Sequence, residues 1–469
     1  MFFSPKNIAS FSLTLLFTVT ALAQVAPQIN EINKPSSERV ISLPSGVTRK
    51  RAPLGISEYV NNQQLKASKL NENIPDSVKA NLLFPVGTPK EATISLLLSF
   101  DEEYSYSKMN PFLNDPDQLS TKPILLRETS TQSLDFWEGF LAALNINAPL
   151  VKFNVNVIDI TSSDSVLRVR LTEPTAQKSN IIIGPNRLSA AKMVADYCKK
   201  NKIINVQPFI SSMNIGLDNP YLVRLSPTIE GHMYKMFTTI IDSFPQAKVI
   251  INTSKRERDI MPALFIDSLF NDYNAKSKTK ISKVFINTGD ESKPAYVKDI
   301  NTYIDSKKQN VIVYCSYEPS VINQFLRGIN KYSNVNVFGM PTWKDDEIIR
   351  ADYLNDSHLY FTDVFYKDST DAQLPVFIGY YKEQYAHAPS SSAYLGFDIA
   401  NYLSYSLKLY GFNFPELSLN NGFEGLGYNF NISKYFSKPK AGVEKSLQYY
   451  TNQSVRQFRI QDYQIQYVK

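Results

Sequence analysis

The stretch 179–205, SNIIIGPNRLSAAKMVADYCKKNKIIN, constrains the chain most. Asn180-Ile181-Ile182-Ile183 is a short apolar run that stops at Gly184-Pro185. A polar turn follows, then a helical pattern with Ala191, Val194, Ala195 and Cys198 on one face. A second β-like run occupies Ile203–Phe209. Strand, glycine turn, helix and strand make the βαβ unit of a parallel sheet. The turn after the first strand lies at the carboxyl edge of that sheet, where open α/β sheets hold ligands. Asn186, Arg187 and Ser189 therefore stand at the mouth of a helix whose free N–H groups suit an anion or a polar head.

The same alternation recurs along the chain. Thr93–Phe100 reads as a buried strand, Leu134–Leu144 as an amphipathic helix, Val151–Ile160 as a strand and Ser163–Leu171 as a helix. After Ser211-Ser212 and the strand Tyr221–Leu225, a second series begins with a helix opened by Pro227-Thr228. Its expected strands are Lys248–Asn252, Ile281–Asn287, Asn310–Ser316 and Asn334–Phe338. Helices are expected around Asp259–Tyr273, Tyr296–Asp305 and Ser320–Lys331. Leu359–Phe365 follows, then an aromatic helix pair, Pro375–Tyr385 and Ser392–Tyr410, and a β-like tail in Arg456–Ile460 and Tyr463–Val468. Right-handed crossovers force each series into a parallel sheet covered on both faces. The fold class expected is α/β: two doubly wound parallel-sheet lobes with a cleft between them, a favoured place for a ligand.

The first residues, MFFSPKNIASFSLTLLFTVTALAQ, read as a secretory signal over 1–23. Lys6 gives the basic start, Ile8–Ala21 the apolar stretch and Ala21-Leu22-Ala23 the small-residue cleavage site, so the mature chain is expected to start at Gln24 in the periplasm or outside the cell. Residues 24–90 carry Pro27, Pro35, Pro44, Pro53, Pro75, Pro85 and Pro89 among polar residues, and read as an extended, loosely packed leader with a short helix near Ser57–Leu70. The net charge is only +6, from 50 basic and 44 acidic residues, and no nucleic-acid motif accompanies it. Cys198 and Cys315 are the only cysteines and are expected as buried, unpaired thiols in different lobes.

Catalytic signatures are missing. His232, His358 and His387 have no metal-ligand spacing with a cysteine or a second histidine, so no metal is expected. Neither a nucleophile elbow nor a phosphate loop occurs. Gly422–Gly427, GFEGLG, does not link a strand to a helix, and Asp345-Asp346-Glu347 reads as a solvated helix start. The expectation is a protein that is not an enzyme and needs no cofactor.

Taken in order, IIIGPN (181–186), Pro208-Phe209 with Ser211-Ser212, NPYLVRLSPT (219–228), FGMPTW (338–343) and the block 377–407 resemble the type 1 periplasmic binding fold of leucine/isoleucine/valine-binding receptors. In the last block the matching residues are Phe377, Tyr381, Tyr385, Pro389, Ala393, Gly396, Phe397, Asp398 and Leu403. The variant is most similar to a Bacteroidetes-type branch often fused to LysM peptidoglycan-binding repeats, although 24–90 holds no complete repeat. The resemblance implies a three-crossover hinge near Ser226-Pro227, Met340-Pro341 and Gly427. Lobe 1 would then be 91–226 with 341–427, and lobe 2 would be 227–340 with 428–469.

The resemblance further implies that lobe 1 holds a ligand carboxylate through Asn186–Ser189 and Ser211-Ser212, and that lobe 2 adds Tyr317 and Glu318. The second family tyrosine has no counterpart, since Asn252–Asp259 reads NTSKRERD, with Lys255, Arg256 and Arg258 able to face an anion. Trp343 is placed either on a ligand ring or in the core. The function implied is capture of a small polar ligand, amino acid-like or cell-wall-derived, for an ABC-type permease or a sensor. The alternative is an envelope protein of the same fold, with a degenerate cleft, that acts on a cell-wall synthesis partner.

Overall fold

The computed structural model describes residues 74–80, 82–101, 127–212, 215–287, 300–419, 421–437 and 446–468. The expected signal sequence, most of the expected leader with its 57–70 helix, and the start of the expected helix at 296 lie outside these residues.

Two seven-stranded sheets form the frame. The first contains β1 (Glu91–Leu98), β2 (Lys152–Asp159), β3 (Ile181–Ile183), β4 (Ile204–Gln207), β5 (Leu222–Arg224), β13 (Ile432–Phe436) and β14 (Leu447–Asn452) in the order 13-14-5-4-3-1-2. The second contains β6 (Lys248–Thr253), β7 (Ser282–Asn287), β8 (Asn310–Cys315), β9 (Val335–Phe338), β10 (Leu359–Asp363), β15 (Arg456–Gln461) and β16 (Gln464–Val468) in the order 16-15-10-9-8-6-7. A two-stranded ribbon joins β11 (Phe423–Glu424) to β12 (Asn429–Phe430). Among the described residues the helices of six residues or more are α1 (Glu128–Asn147), α2 (Asp164–Leu171), α3 (Leu188–Asn201), α4 (Ile229–Ser243), α5 (Glu257–Lys276), α6 (Pro319–Ile329), α7 (Ala351–Asp356), α8 (Gln373–Tyr385) and α9 (Ser391–Tyr410).

Each sheet begins with the same doubly wound order, 2-1-3-4-5 in the first and its equivalent 7-6-8-9-10 in the second. β1 pairs in parallel with both β2 and β3, and β6 with both β7 and β8. Residues 181–183 and 310–315 are wholly buried, as strands covered on both faces must be. On α3, Ala190, Ala191, Val194, Ala195 and Cys198 face inward, and Lys202 ends the helix in the left-handed region at φ 57°. On α6, Pro319 opens the helix and Val321, Ile322, Phe325, Leu326 and Ile329 enter the core around the second sheet. Cys198 and Cys315 are buried and free, as the sequence predicts, and burial pushes both thiols up.

The lobe boundaries differ from expectation at two places. Met340-Pro341 is not a crossing: Pro341–Asp345 is a short 3-10 turn, and β10 beyond it pairs with β9 in the second sheet. The return to the first sheet therefore follows Asp363. The tail also divides. β14 runs parallel to β5, with Asn452 Nδ2 donating to Leu225 O at 3.1 Å, while β15 pairs with β10. The last crossing is thus 453–455, and Gly427 lies before the ribbon strand β12 rather than at a sheet change. The chain passes between the sheets three times, as expected in number.

By packing, the described residues up to Pro208 form one compact unit with Lys367–Ser418 and Phe423–Tyr428. Phe209–Tyr366, Leu419–Gly422 and Asn429–Lys469 form the other. Hydrogen bonding nevertheless carries β5, β13 and β14 in the first sheet. The end of the leader is not loose. Asn413 Oδ1 accepts the N–H groups of Leu83 and Phe84 at 3.1 and 3.0 Å, and its Nδ2 donates to Phe84 O at 2.7 Å. Among the described residues no helix is long and apolar enough to cross a membrane.

α1 and α9 touch backbone to backbone. A Cβ on Gly139 would lie 1.9 Å from Ala393 O, and one on Gly396 would lie 2.0 Å from Phe136 O. Phe377 packs on Phe397 and Tyr394, with ring centroids 4.4 and 4.9 Å away. Asp398, 1% exposed, accepts the N–H groups of Leu426, Gly427 and Tyr428 at 2.8, 2.9 and 2.8 Å. The aromatic block of the sequence resemblance is therefore a packing device. Gly396→Ala is expected to lower stability by about 3 kcal/mol in urea unfolding, because backbone cannot yield to the methyl. Gly379→Ala, in α8 with nothing within 4 Å of the added carbon, is expected to raise it by up to about 1 kcal/mol.

Candidate functional site

A doubly wound sheet parts where neighbouring strands lead away in opposite directions. That point lies between β1 and β3 in the first sheet and between β6 and β8 in the second. Both are lined by residues that follow these strands directly.

In the first sheet, β1 leads into Ser99 and β3 into Gly184-Pro185-Asn186. Gly184 has φ 92° and a cis peptide to Pro185, a conformation suited to glycine. Buried amides hold the turn: Asn205 Nδ2 donates to Ile182 O and Gly184 O at 3.1 and 3.2 Å, and Gln207 Nε2 to Pro185 O at 2.9 Å. The Asn186 side chain, half-buried, accepts from Ser99 Oγ at 3.3 Å and donates to Ser133 Oγ at 3.5 Å. Ser133 Oγ also accepts from Ser99 N at 3.2 Å and donates to Thr129 O at 2.8 Å. One turn earlier on the same face of α1, Ser130 is 2% exposed and its Oγ has no partner. Buried polar atoms are normally paired, so such an atom beside a helix N-terminus marks a place for a ligand group or water. Arg127, the cap residue, makes no side-chain bond to this turn. It reaches Asp101 Oδ2 and Ser162 Oγ, both at 3.2 Å.

Arg187 and Ser189 belong to a second polar group. Arg187 Nη1 pairs with Asp164 Oδ1 at 2.7 Å, and Ser189 Oγ donates to the same oxygen at 3.3 Å. The Arg187 hydrogen bond holds the Asp164 carboxyl below its usual range. These bonds tie the start of α3 to the start of α2, although Arg187 Nε and Nη2 remain buried without partners. Ser211, exposed, and Ser212, half-buried, lie beyond the carboxyl end of β4.

In the second sheet, Ser254 follows β6, and Ser316-Tyr317-Glu318 follows β8. Ser254 Oγ donates to Asp259 Oδ2 at 2.8 Å and accepts from Arg256 N at 3.0 Å. Arg256 Nη1 pairs with Glu318 Oε2 at 3.2 Å across the switch point. The Arg258 guanidinium lies 5.3 Å from the Tyr317 ring centre and its Nε 3.6 Å from Asp259 Oδ1. Burial pushes the Tyr317 hydroxyl up. Of the two readings of Trp343, the core one holds. The ring is 1% exposed, donates its indole N–H to Ser316 O at 2.8 Å and stands edge-on to Tyr314 at 5.8 Å. Gly339 leaves room for it, since a Cβ there would meet the ring at 2.4 Å.

The sequence reading therefore finds Asn186, Tyr317 and Glu318 at the switch points but misses Ser99, Ser130 and Ser133. Its helix began at Leu134. The earlier turn, Glu128–Ser133, has no apolar periodicity, and only the serines three apart signal it.

No family model matches the chain, and no curated protein does. Solved structures do match. A putative branched-chain amino acid ABC transporter protein from Rhodospirillum rubrum is similar over 81% of this chain and 99% of its own, at 10% identity and TM-score 0.52. An ABC transporter substrate-binding protein from Desulfitobacterium hafniense is similar over 81% and 100%, at 13% identity and TM-score 0.51. Full-length LpoA from Haemophilus influenzae is similar over 99% of this chain and 74% of its own, at 12% identity and TM-score 0.51. The fold is that of the type 1 periplasmic binding proteins. In this instance of the fold, Trp343→Phe is expected to cost roughly 1–3 kcal/mol of stability, by orphaning the Ser316 carbonyl, and to leave the affinity of any bound ligand unchanged. Parallel unfolding and titration of the variant check this.

Proposed function

We propose that the chain is a non-enzymatic periplasmic binding protein that captures a small polar ligand for an ABC-type permease or a sensor. The observation that carries this reading is the unpartnered Ser130 Oγ, buried at the first turn of α1 one turn before Ser133, which Asn186 and Ser99 reach. Neutral hydroxyls, an amide and helix N–H groups suit a carboxylate or another oxygen-rich head. The ligand class is amino acid-like or cell-wall-derived. On the second sheet, Tyr317, Arg258, Arg256 and Glu318 hold the equivalent switch point. The likeness to a substrate-binding protein of D. hafniense supports the fold this function requires.

A second reading, an envelope interaction protein that contacts a cell-wall synthesis partner, is favoured by a different observation. Arg187 is already committed to Asp164 and Arg256 to Glu318, which leaves these charges compensated without a ligand. Pull-down from envelope extract with the full chain separates the two, since only this reading requires one reproducible protein partner.

Thermal unfolding against a panel of amino acids, short peptides, sugars and muropeptide fragments tests the leading reading. A ligand at a hundred times its Kd should stabilise the native state by about 2.7 kcal/mol. Asn186→Ala and a bulky Ser130→Val are expected to weaken that ligand by about tenfold or more, one to three kcal/mol for a lost or blocked hydrogen bond. A panel with no shift, or an unchanged Kd in both variants, would contradict the assignment.

A further inference from the structure

Three titratable groups outside the switch points converge on the far side of α1. Asp135 and Glu138 are three apart on that helix and share a face. His387 lies in the turn between α8 and α9, after Ala386 at φ 60°. One ligand-type atom from each lies within 4.8 Å of the others. Asp135 is 8% and Glu138 3% exposed, and His387 is exposed. The other two histidines are elsewhere: His232 Nδ1 lies 2.9 Å from Thr362 Oγ1, and His358 Nδ1 faces Val335 O.

The hydrogen bonds around this group leave one buried carboxylate oxygen unmet. Tyr381 donates its hydroxyl to Glu138 Oε2 at 2.6 Å. Glu138 Oε1 is buried with no partner at all. His387 Nδ1 lies 3.1 Å from Ala388 O, and an N–H there donates to that carbonyl. The other ring nitrogen, Nε2, stands 3.3 Å from Glu138 Oε2.

We propose that Asp135, Glu138 and His387 form a divalent-cation site that ties α1 to the α8–α9 turn. Two carboxylate oxygens and one imidazole nitrogen are a donor set that suits zinc better than magnesium or calcium, which prefer oxygen alone. The groups behind these ligands are of the kind that metal histidines and carboxylates carry: a carbonyl on Nδ1, a tyrosine hydroxyl on the carboxylate, and the Tyr381 ring edge-on to the imidazole at 5.3 Å. Three protein ligands leave a fourth position for water. Because His387 is exposed, its ring can close the remaining distance without moving either helix. The spacing hides the site in the sequence, since the third ligand lies 249 positions from Glu138.

Calorimetric titration of the chelator-treated mature chain with zinc chloride tests this, with cobalt(II) absorption as a second probe. The expected result is one ion per chain, a tetrahedral cobalt spectrum and a zinc-dependent rise in Tm. His387→Ala, which removes an exposed side chain, and Glu138→Gln, which keeps an acceptor for Tyr381, should each weaken zinc by at least about tenfold while far-UV dichroism is unchanged. Absence of zinc binding, or binding of the same strength in both variants, would leave an imidazolium–carboxylate pair as the reason for the cluster and overturn the proposal.

Discussion

Gly139 and Gly396 let α1 and α9 meet along their backbones, and much of the first unit is set by that contact. Each glycine faces a carbonyl that a methyl group would strike at about 2 Å. Helices normally pack about 8–10 Å apart with side chains between them. Here the absence of two side chains fixes both distance and rotation. The rotation turns Ser133 of α1 toward the carboxyl ends of β1 and β3. It also holds Glu138 under Tyr381 of α8. α9, buried along almost its whole length, then uses Asp398 to grip the segment that leads to the ribbon and β13.

Each sheet places polar groups at the same topological position, but with different chemistry. The first offers hydroxyls, an amide and helix N–H groups, with the buried Ser130 Oγ left unpaired. The second offers Arg256 and Glu318 paired with one another, and Tyr317 under the Arg258 guanidinium. A neutral cradle binds an oxygen-rich head with little desolvation cost, whereas a paired cluster must be opened before it can bind anything. That contrast places the stronger claim to ligand contact on the first sheet. It also explains how the family-like amino-acid clamp can be incomplete in the second.

Much of the fold is legible in the sequence because parallel strands buried on both faces read as continuous apolar runs. Ile181–Ile183 and Asn310–Cys315 are found at once for this reason. The crossings between sheets are harder. Pro341 looks like a strand exit, yet it opens a 3-10 turn that carries Trp343 back into the core. The tail divides between sheets at 453–455, where Gln453-Ser454-Val455 is too short to carry a periodic signal. The site is legible only in part. Asn186, Tyr317 and Glu318 follow apolar strands and announce themselves by position. Ser99 and His387 do not, because their partners lie on elements distant in sequence, and Ser130 does not, because it sits in a turn without apolar periodicity. The conspicuous aromatic block at 377–407 turns out to organise packing.

The central claim is that the first turn of α1 and the Gly184–Ser189 turn form the ligand-holding edge of the first sheet. Hydrogen exchange resolved to single amides, on the full mature chain with and without the best stabilising compound, tests it directly. Slowed exchange concentrated at 128–133 and 184–189 is the result this account predicts. A compound that binds stoichiometrically and leaves exchange in both turns untouched would contradict it.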